Sequence, residues 1–327
     1  MGQMSTGHDL QKPRISAVIC TYRRPDTLPE AIESLQTQSL PRDYYEIIVV
    51  DNNSQDATSE TVRQYVQDDR PIVRYVLETR QGLSYSRNTG VKLASADIIA
   101  FLDDDAVAHP DWLATLLEVY DSSPAAWAVG GKILPIWDGE RPDWVRNSML
   151  RSLSIVDWGD ETRTLNWPER MIGTNCSFRK QVFSEVGLFA TNLGRRGTLL
   201  LGHEDTEIQE RIHVLGKLVF YTPRAIVYHH ILRERLTKRY FYCRYYGAGR
   251  SQAIVEHLRG GDGAVRRQAI RIGIKLPYQW LGLLHSIKKE ESRFQFVQDQ
   301  AYRFGFLYQA IHMLILGKDR VDSAMIS

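Results

Sequence analysis

Three adjacent carboxylates, Asp103, Asp104 and Asp105, follow a strand-like apolar run at residues 97–102. Carboxylates held this close repel one another unless a cation compensates them. Oxygen ligands at a strand end suit Mg²⁺ or Mn²⁺, and such ions also bind phosphate oxygens. Alternate residues of an extended segment face the same way, so Asp103 and Asp105 can act together. A solvated acidic turn is the plainer alternative, and the buried strand directly before the triplet weighs against it. A second acidic pair, Glu204-Asp205, follows Gly202-His203 at the start of a helical pattern, where the helix dipole favours carboxylates even as simple caps. His229-His230 closes a short strand pattern. Neighbours along a strand point to opposite faces, so at most one of the two can reach a metal; His230 is the expected ligand, with a structural or substrate-contacting role as the alternative.

These groups need elements to hold them. Apolar, β-branched runs at 15–20, 46–51, 72–77 and 97–102 read as strands, and amphipathic stretches at 26–38, 58–66 and 83–94 read as helices. Strands alternating with helices imply βαβ units and a mostly parallel sheet, in which ligands gather at the carboxyl ends of the strands. The polar clusters 21–24, 51–54, 78–82 and 103–105 each follow a strand. Beyond residue 110 the pattern predicts a helix at 112–120, a strand at 127–131 and an irregular Trp- and Pro-rich segment at 135–170. An extended segment at 171–178, a Gly- and Arg-rich mobile loop at 194–202 and a helix at 204–215 follow, then strands at 218–221 and 225–229. From 237 onward the pattern is helical, with Lys238, Arg239, Tyr240, Phe241, Tyr242, Arg266, Arg267, Arg271, Lys275, Trp280, Lys288 and Lys289 interleaving basic and aromatic residues. That mixture suits an anionic membrane surface; helices packed on the core or on a second subunit are the equal alternative.

The 327 residues carry 43% hydrophobic and 24% charged side chains, an ordinary globular composition, and a net charge of +2 that gives no support to nucleic-acid binding. Three cysteines, Cys20, Cys176 and Cys243, without CxxC spacing argue against a disulfide framework or zinc ribbon. Residues 1–14 lack the apolar core of a signal peptide, and no uncharged stretch is long enough to span a bilayer. The expectation is a cytoplasmic protein, soluble or peripheral on the inner face of the plasma membrane.

Several segments in order resemble family 2 glycosyltransferases: "ISAVICTYRRPDTLPEAIESLQTQ", "YEIIVVDNNSQDAT", "GLSYSRNTGVKLASADIIAFLDDDA", "GTNCSFRKQVFSEVGLF" and "GHEDTEIQERI". The resemblance covers about residues 14–235 and leaves the tail unexplained. It implies the α/β GT-A fold, the Rossmann-like fold of nucleotide-diphospho-sugar transferases, with a mostly parallel central sheet flanked by helices. A catalytic domain at 1–235 would divide into a nucleotide-binding half (about 14–131) and an acceptor-binding half (about 132–235), followed by a helical extension at 236–327. By the same resemblance, Thr21, Tyr22 and Arg23 line the nucleotide. Asp51 accepts a hydrogen bond from the base, supported by Asn53 and Ser54, and Asn88 is a polar group near the donor. Asp103 and Asp104 belong to the nucleotide site, and Asp105 with Asp103 and His230 holds Mn²⁺ or Mg²⁺. Arg80 and Arg87, and later Arg233 and Arg235, are candidates for the diphosphate; Arg195 and Arg196 for a closing loop. The general base is Asp205, with Glu204 as alternative or acceptor-orienting partner. The implied reaction is inverting transfer from a nucleotide-diphosphate sugar, UDP favoured over GDP or dTDP, to a saccharide or lipid-linked acceptor in polysaccharide or glycolipid synthesis. A nucleotidyltransferase fits less well, because the first loop has no glycine. A non-catalytic nucleotide-sugar-binding module would release no nucleoside diphosphate.

Overall fold

The computed structural model describes residues 12–66, 71–286 and 290–316, without the side chains of 277–292. The sequence expectations for residues 1–11 and for Trp280, Lys288 and Lys289 fall outside these limits. Strands β1 (Ile15–Thr21), β2 (Tyr45–Asp51), β3 (Val73–Leu77) and β4 (Ile98–Asp103) alternate with helices α1 (Leu28–Gln36), α2 (Thr58–Arg63) and α3 (Leu83–Leu93). Short β5 (Ala106–Ala108) leads to α4 (Trp112–Ser122) and long β6 (Ala126–Trp137). Then come β7 (Arg163–Thr164), β8 (Asn175–Arg179), α5 (Gln181–Glu185), α6 (Glu204–Val214) and β9 (Leu218–Ile231). Helices α7 (Lys238–Ser286) and α8 (Glu290–Leu316) complete the chain.

The sheet runs β3-β2-β1-β4-β8-β6-β9-β5, with β7 beside β9. Its first four strands are mutually parallel, as the βαβ pattern requires. Past β4 the sheet is mixed: β8 lies antiparallel to both β4 and β6, while β6 and β9 are parallel. The two strands expected at 218–221 and 225–229 are one continuous β9, whose register slips against β6 around Pro223. A proline has no N–H for the ladder, so it sits where pairing is irregular.

Alternation along β1 divides the core into two layers. Ile15, Ala17 and Ile19 pack with Leu28 and Ile32 of α1 and Trp112 of α4. Val18 faces the other layer, with Val91 of α3, Phe101, Phe178 and Ile208 of α6. The parallel register brings the strand ends level, pairing Thr21 with Asp51 and Cys20 with Asp103. The chain turns at Asp104 and Asp105, between β4 and β5, on that same edge.

The C-terminal helices dock on this domain. Helix α7 bends at Gly260 and Gly261, which leave helical geometry, and α8 packs along it around Ala253, Val265 and Phe306. Contact is backbone to backbone: a methyl added at Gly249 would lie 1.8 Å from the Tyr302 carbonyl oxygen, and one at Gly305 2.0 Å from that of Tyr246. Ile254 and Val255 of α7 cluster with Leu193, and the Gly202 N–H donates to Ser251 Oγ at 3.0 Å. Phe304, Tyr308, Ile311 and Ile315 remain exposed on α8. Among the described residues no helix is long and apolar enough to cross a membrane.

Candidate active site

A cavity of about 650 Å³ opens at the carboxyl edge of the parallel strands. Its floor is the acidic turn after β4, one wall is the start of α6, and α7 and α8 close the far side with Arg244, Tyr245 and Tyr302.

At the floor, Asp103 Oδ2 accepts from the Thr174 hydroxyl at 2.6 Å, and Asp104 Oδ2 accepts from the Tyr22 N–H at 3.3 Å. Burial, then the adjacent Asp105, pushes the Asp104 carboxyl up to about 7. Asp105 goes the other way. Burial alone would raise it, but His229 and Arg235 outweigh burial and hold it well below the usual carboxylate range. Arg235 Nη2 reaches Asp105 Oδ2 at 2.5 Å and His229 Nε2 lies 3.2 Å from Asp105 Oδ1.

The histidine beside the aspartates is therefore His229, not His230. His230 Nε2 pairs instead with Glu30 at 2.8 Å. The reason is the alternation of β9, which buries Ala225, Val227, His229 and Ile231 and turns the residues between them away. That period was present in the sequence and identifies the inward histidine. Ligand atoms of Asp103, Asp105 and His229 all lie within 4.8 Å of one another. His229 Nδ1 meets the Leu153 carbonyl at 3.1 Å, which can only accept, so Nδ1 carries the proton. Nε2 faces Asp105 Oδ1 at 3.2 Å and Arg235 Nη1 at 3.1 Å. Two carboxylates and an imidazole oriented by a backbone carbonyl fit a divalent metal.

The second acidic pair opens α6 at the cavity wall. Glu204 is buried, with Oε1 bound to Arg87 Nη1 at 2.9 Å and Oε2 without a partner. Burial and the adjacent Asp205 raise its pKa against the pull of Arg87. Asp205 is less enclosed: Oδ2 accepts from the Gly173 N–H at 2.8 Å and Oδ1 from the Thr206 N–H at 2.7 Å. Cys20 also lines the cavity, but burial holds its thiol up at about 12, so it is a neutral S–H and not a nucleophile.

Thr21 and Tyr22 line the cavity with the aspartates. Other expected site residues are placed differently. Arg87 is wedged between Glu204 and Asp103, the latter at 3.7 Å, and is almost wholly buried, so its charge is shared between two carboxylates. Arg80 pairs with Glu78 at 2.8 Å and lies over the Tyr85 ring, outside the cavity lining. Asp51 is buried, with Oδ1 accepting from the Ser54 N–H and Oδ2 from the Tyr75 hydroxyl, both at 2.9 Å. Asn53 takes a positive φ of 62° in the turn beyond it. Arg23 stacks on Tyr22, its N–H donating to Ser54 Oγ at 2.9 Å. Asn88 clips α3 to the Phe189 backbone through both ends of its amide. The Arg233 N–H turns to Asp138. The 194–202 loop meets the start of α3: the Leu83 N–H donates to the Arg195 carbonyl at 2.8 Å and Arg196 Nε to that of Gln81 at 3.0 Å.

Sequence reading missed Arg151, Arg170 and Arg244, which also line the cavity. The first two lie in the irregular segment before β8 and the third in α7, and no local pattern marks any of them.

Comparison with known proteins gives a consistent picture. The family model described as "Glycosyl transferase family 2" matches residues 16–187. A glucosyl-dolichyl phosphate glucuronosyltransferase of Haloferax volcanii is 31% identical over 257 residues, 75% of this chain and 78% of that protein. The succinoglycan biosynthesis protein ExoM of Rhizobium meliloti is 30% identical over 233 residues, 68% and 70% of the two chains. Among solved structures, the mannosyltransferase PcManGT from Pyrobaculum calidifontis, in complex with GDP-Man and Mn²⁺, superposes with a TM-score of 0.59 at 19% identity. It covers 94% of this chain and 88% of that one. GalNAc-T7 with UDP, GalNAc and Mn²⁺ gives 0.54 at 20% identity, over 74% and 51%.

Proposed function

The chain belongs to glycosyl transferase family 2 and is a glycosyltransferase of GT-A fold, and we propose that it transfers a sugar from a nucleotide-diphosphate donor to an acceptor hydroxyl with inversion. The observation that carries this reading is the presence of Asp103, Asp105 and His229 in one cavity with Asp205.

Asp103, Asp105 and His229 would hold the metal, Mn²⁺ in preference to Mg²⁺, because Mg²⁺ keeps to oxygen ligands and one donor here is nitrogen. When bound, the ion offsets the charge that develops on the departing diphosphate. Thr21 and Tyr22 with Asp104 form the nucleotide side of the cavity, and UDP is the favoured nucleotide. Asp205 is the general base. Its Oδ1 accepts from both the N–H and the hydroxyl of Thr206, while Oδ2, which accepts only from the Gly173 N–H, keeps a lone pair for the proton. It takes the acceptor O–H proton as the new oxygen–carbon bond forms at the anomeric centre. The bond to the diphosphate breaks with its electron pair going to the nucleoside diphosphate, and attack opposite that bond inverts the centre. Glu204, tied to Arg87, orients the acceptor side and is not the base.

The acceptor is a saccharide or lipid-linked saccharide, as the names of the two relatives suggest. Phe304, Tyr308, Ile311 and Ile315 recur at helical spacing on the exposed side of α8 and favour peripheral docking of the tail on an anionic membrane. Co-sedimentation with anionic vesicles is expected; the chain staying in the supernatant would end that part of the reading.

The test of the activity is a nucleotide-sugar panel with and without Mn²⁺, following release of nucleoside diphosphate. A true donor is expected both to raise the unfolding midpoint and to turn over. EDTA is expected to abolish turnover while leaving the fold intact, because Arg235 already compensates Asp105. Full turnover in EDTA with no carried-over metal, or no release from any donor, would overturn the assignment.

A further inference from the structure

We infer that the cavity contains a second anion site, built by Arg151, Arg170 and Arg244, that takes the phosphoryl group of a phosphorylated acceptor. The inference rests on the glycosyltransferase reading and adds an acceptor class to it.

The first support is the charge of the cavity. Seven arginines line it against five carboxylates, and no lysine. A divalent ion and a doubly charged donor diphosphate cancel each other, so that positive excess survives donor binding. The second is how the charges are distributed. Arg87 is held by Glu204 and Asp103, Arg235 by Asp105, and Arg24 stabilises the charged forms of Asp104 and Asp105. Arg151, Arg170, Arg195 and Arg244 have no such answer: among the described residues none forms an ion pair with a carboxylate. Arg244 donates to the Leu200 carbonyl at 3.2 Å and Arg195 to the Tyr240 hydroxyl at 3.4 Å. Arg151 lies over the Trp158 ring at 5.0 Å. Arg170 lies over Trp167, and its Nε is buried without a partner.

These cations are close enough to oppose one another. Arg151 is exposed, yet partial burial and then Arg170 weaken its hold on its proton, and burial and then Arg195 do the same to Arg244. Burial, followed by Arg170 and Arg244, drives His203 down to about 4, keeping it neutral between them. Gathering like charges in a cavity wall is costly unless an anion joins them. Guanidinium forks match the oxygens of a phosphoryl group and can bind it bidentately, and Tyr245 and Ser152 also line the cavity. Arg244 also feels Glu204 and Asp205, so a phosphoryl group anchored there leaves the attached sugar within reach of the base.

The phosphoryl group has two possible sources, an acceptor ester or the donor's own diphosphate, and binding by calorimetry separates them. The probes are octyl phosphate, octyl glucoside as the neutral match, inorganic phosphate, and UDP with Mn²⁺. Wild-type protein saturated with Mn²⁺ and UDP is expected to bind octyl phosphate, and octyl glucoside at least tenfold more weakly. The double variant Arg151→Gln, Arg170→Gln is expected to lose octyl phosphate affinity by tenfold or more with Mn²⁺–UDP affinity unchanged. The Arg151→Lys, Arg170→Lys pair, which keeps charge but not the fork, is expected to fall between them and serves if the glutamine pair does not fold. Three results would overturn the inference: equal octyl phosphate binding by wild type and variants, competition between octyl phosphate and Mn²⁺–UDP, or inorganic phosphate binding as tightly as the ester. Absence of nucleotide binding would instead count against the glycosyltransferase reading, while the octyl phosphate arm still reports on the arginines.

Discussion

Replacing Arg87 by methionine separates the roles of the cavity's buried charges. Arg87 and Glu204 have side chains only 3% and 7% exposed, and Asp103, the second partner, is 32% exposed at the longer distance of 3.7 Å. Methionine fills a similar volume without charge and leaves Glu204 buried and unpaired. Breaking a buried pair from one side costs about 3–5 kcal/mol. For a chain of this size that lowers the unfolding midpoint by roughly 4–7 °C at neutral pH. The loss carries a pH signature. Glu204 is already raised above its ordinary value by burial and Asp205, and Arg87 is what opposes them. Without Arg87 its folded pKa rises further. A carboxyl raised in the folded state binds more protons there than when unfolded, so stability is lost as pH climbs from the unfolded value through the folded one. The gap between wild type and Arg87→Met is therefore expected to be widest at neutral and alkaline pH and to narrow as pH falls and Glu204 takes up its proton. Scanning calorimetry in pH steps reads it directly. A midpoint loss that stays constant with pH, or amounts to less than about 1 kcal/mol at neutral pH, would refute the account of Arg87 as the counter-charge of Glu204.

Asp205→Asn is expected to lower turnover by about 10²–10⁴-fold with donor affinity intact; retention of more than a tenth of the wild-type rate would move the base elsewhere. His229→Gln is expected to weaken Mn²⁺ binding by about tenfold or more, read by titration of the Mn²⁺ electron paramagnetic resonance signal. His230→Gln, whose ring faces Glu30, is expected to leave that titration unchanged; the opposite ranking would restore His230 as the ligand.

Much of the catalytic half was legible because its signals are local. Asp103–Asp105 follow an apolar strand, Glu204 and Asp205 open a helix, and each βα unit carries its own periodicity. Alternation along β9 also marked His229 as the inward histidine, in line with Ala225 and Val227. Arg87 resisted assignment for a different reason. A surface arginine and a buried one look alike in sequence, and only the approach of α6 to α3, across 117 positions, shows which carboxylate claims it.

The sequence by itself determined the chemistry available: acidic groups at strand and helix ends, the alternating α/β framework that aligns them, and the family to which both point. Those features arise from neighbours within a few residues, where periodicity and caps act. Only the tertiary structure decided which charges are satisfied and which are left over. It folded the tail back so that Arg244, Tyr245 and Tyr302 reach the cavity, and it brought Arg151 and Arg170 beside them from a segment without regular pattern. Electrostatic compensation depends on distance and burial, not on chain separation, so the surplus of arginines exists only once the helices are docked.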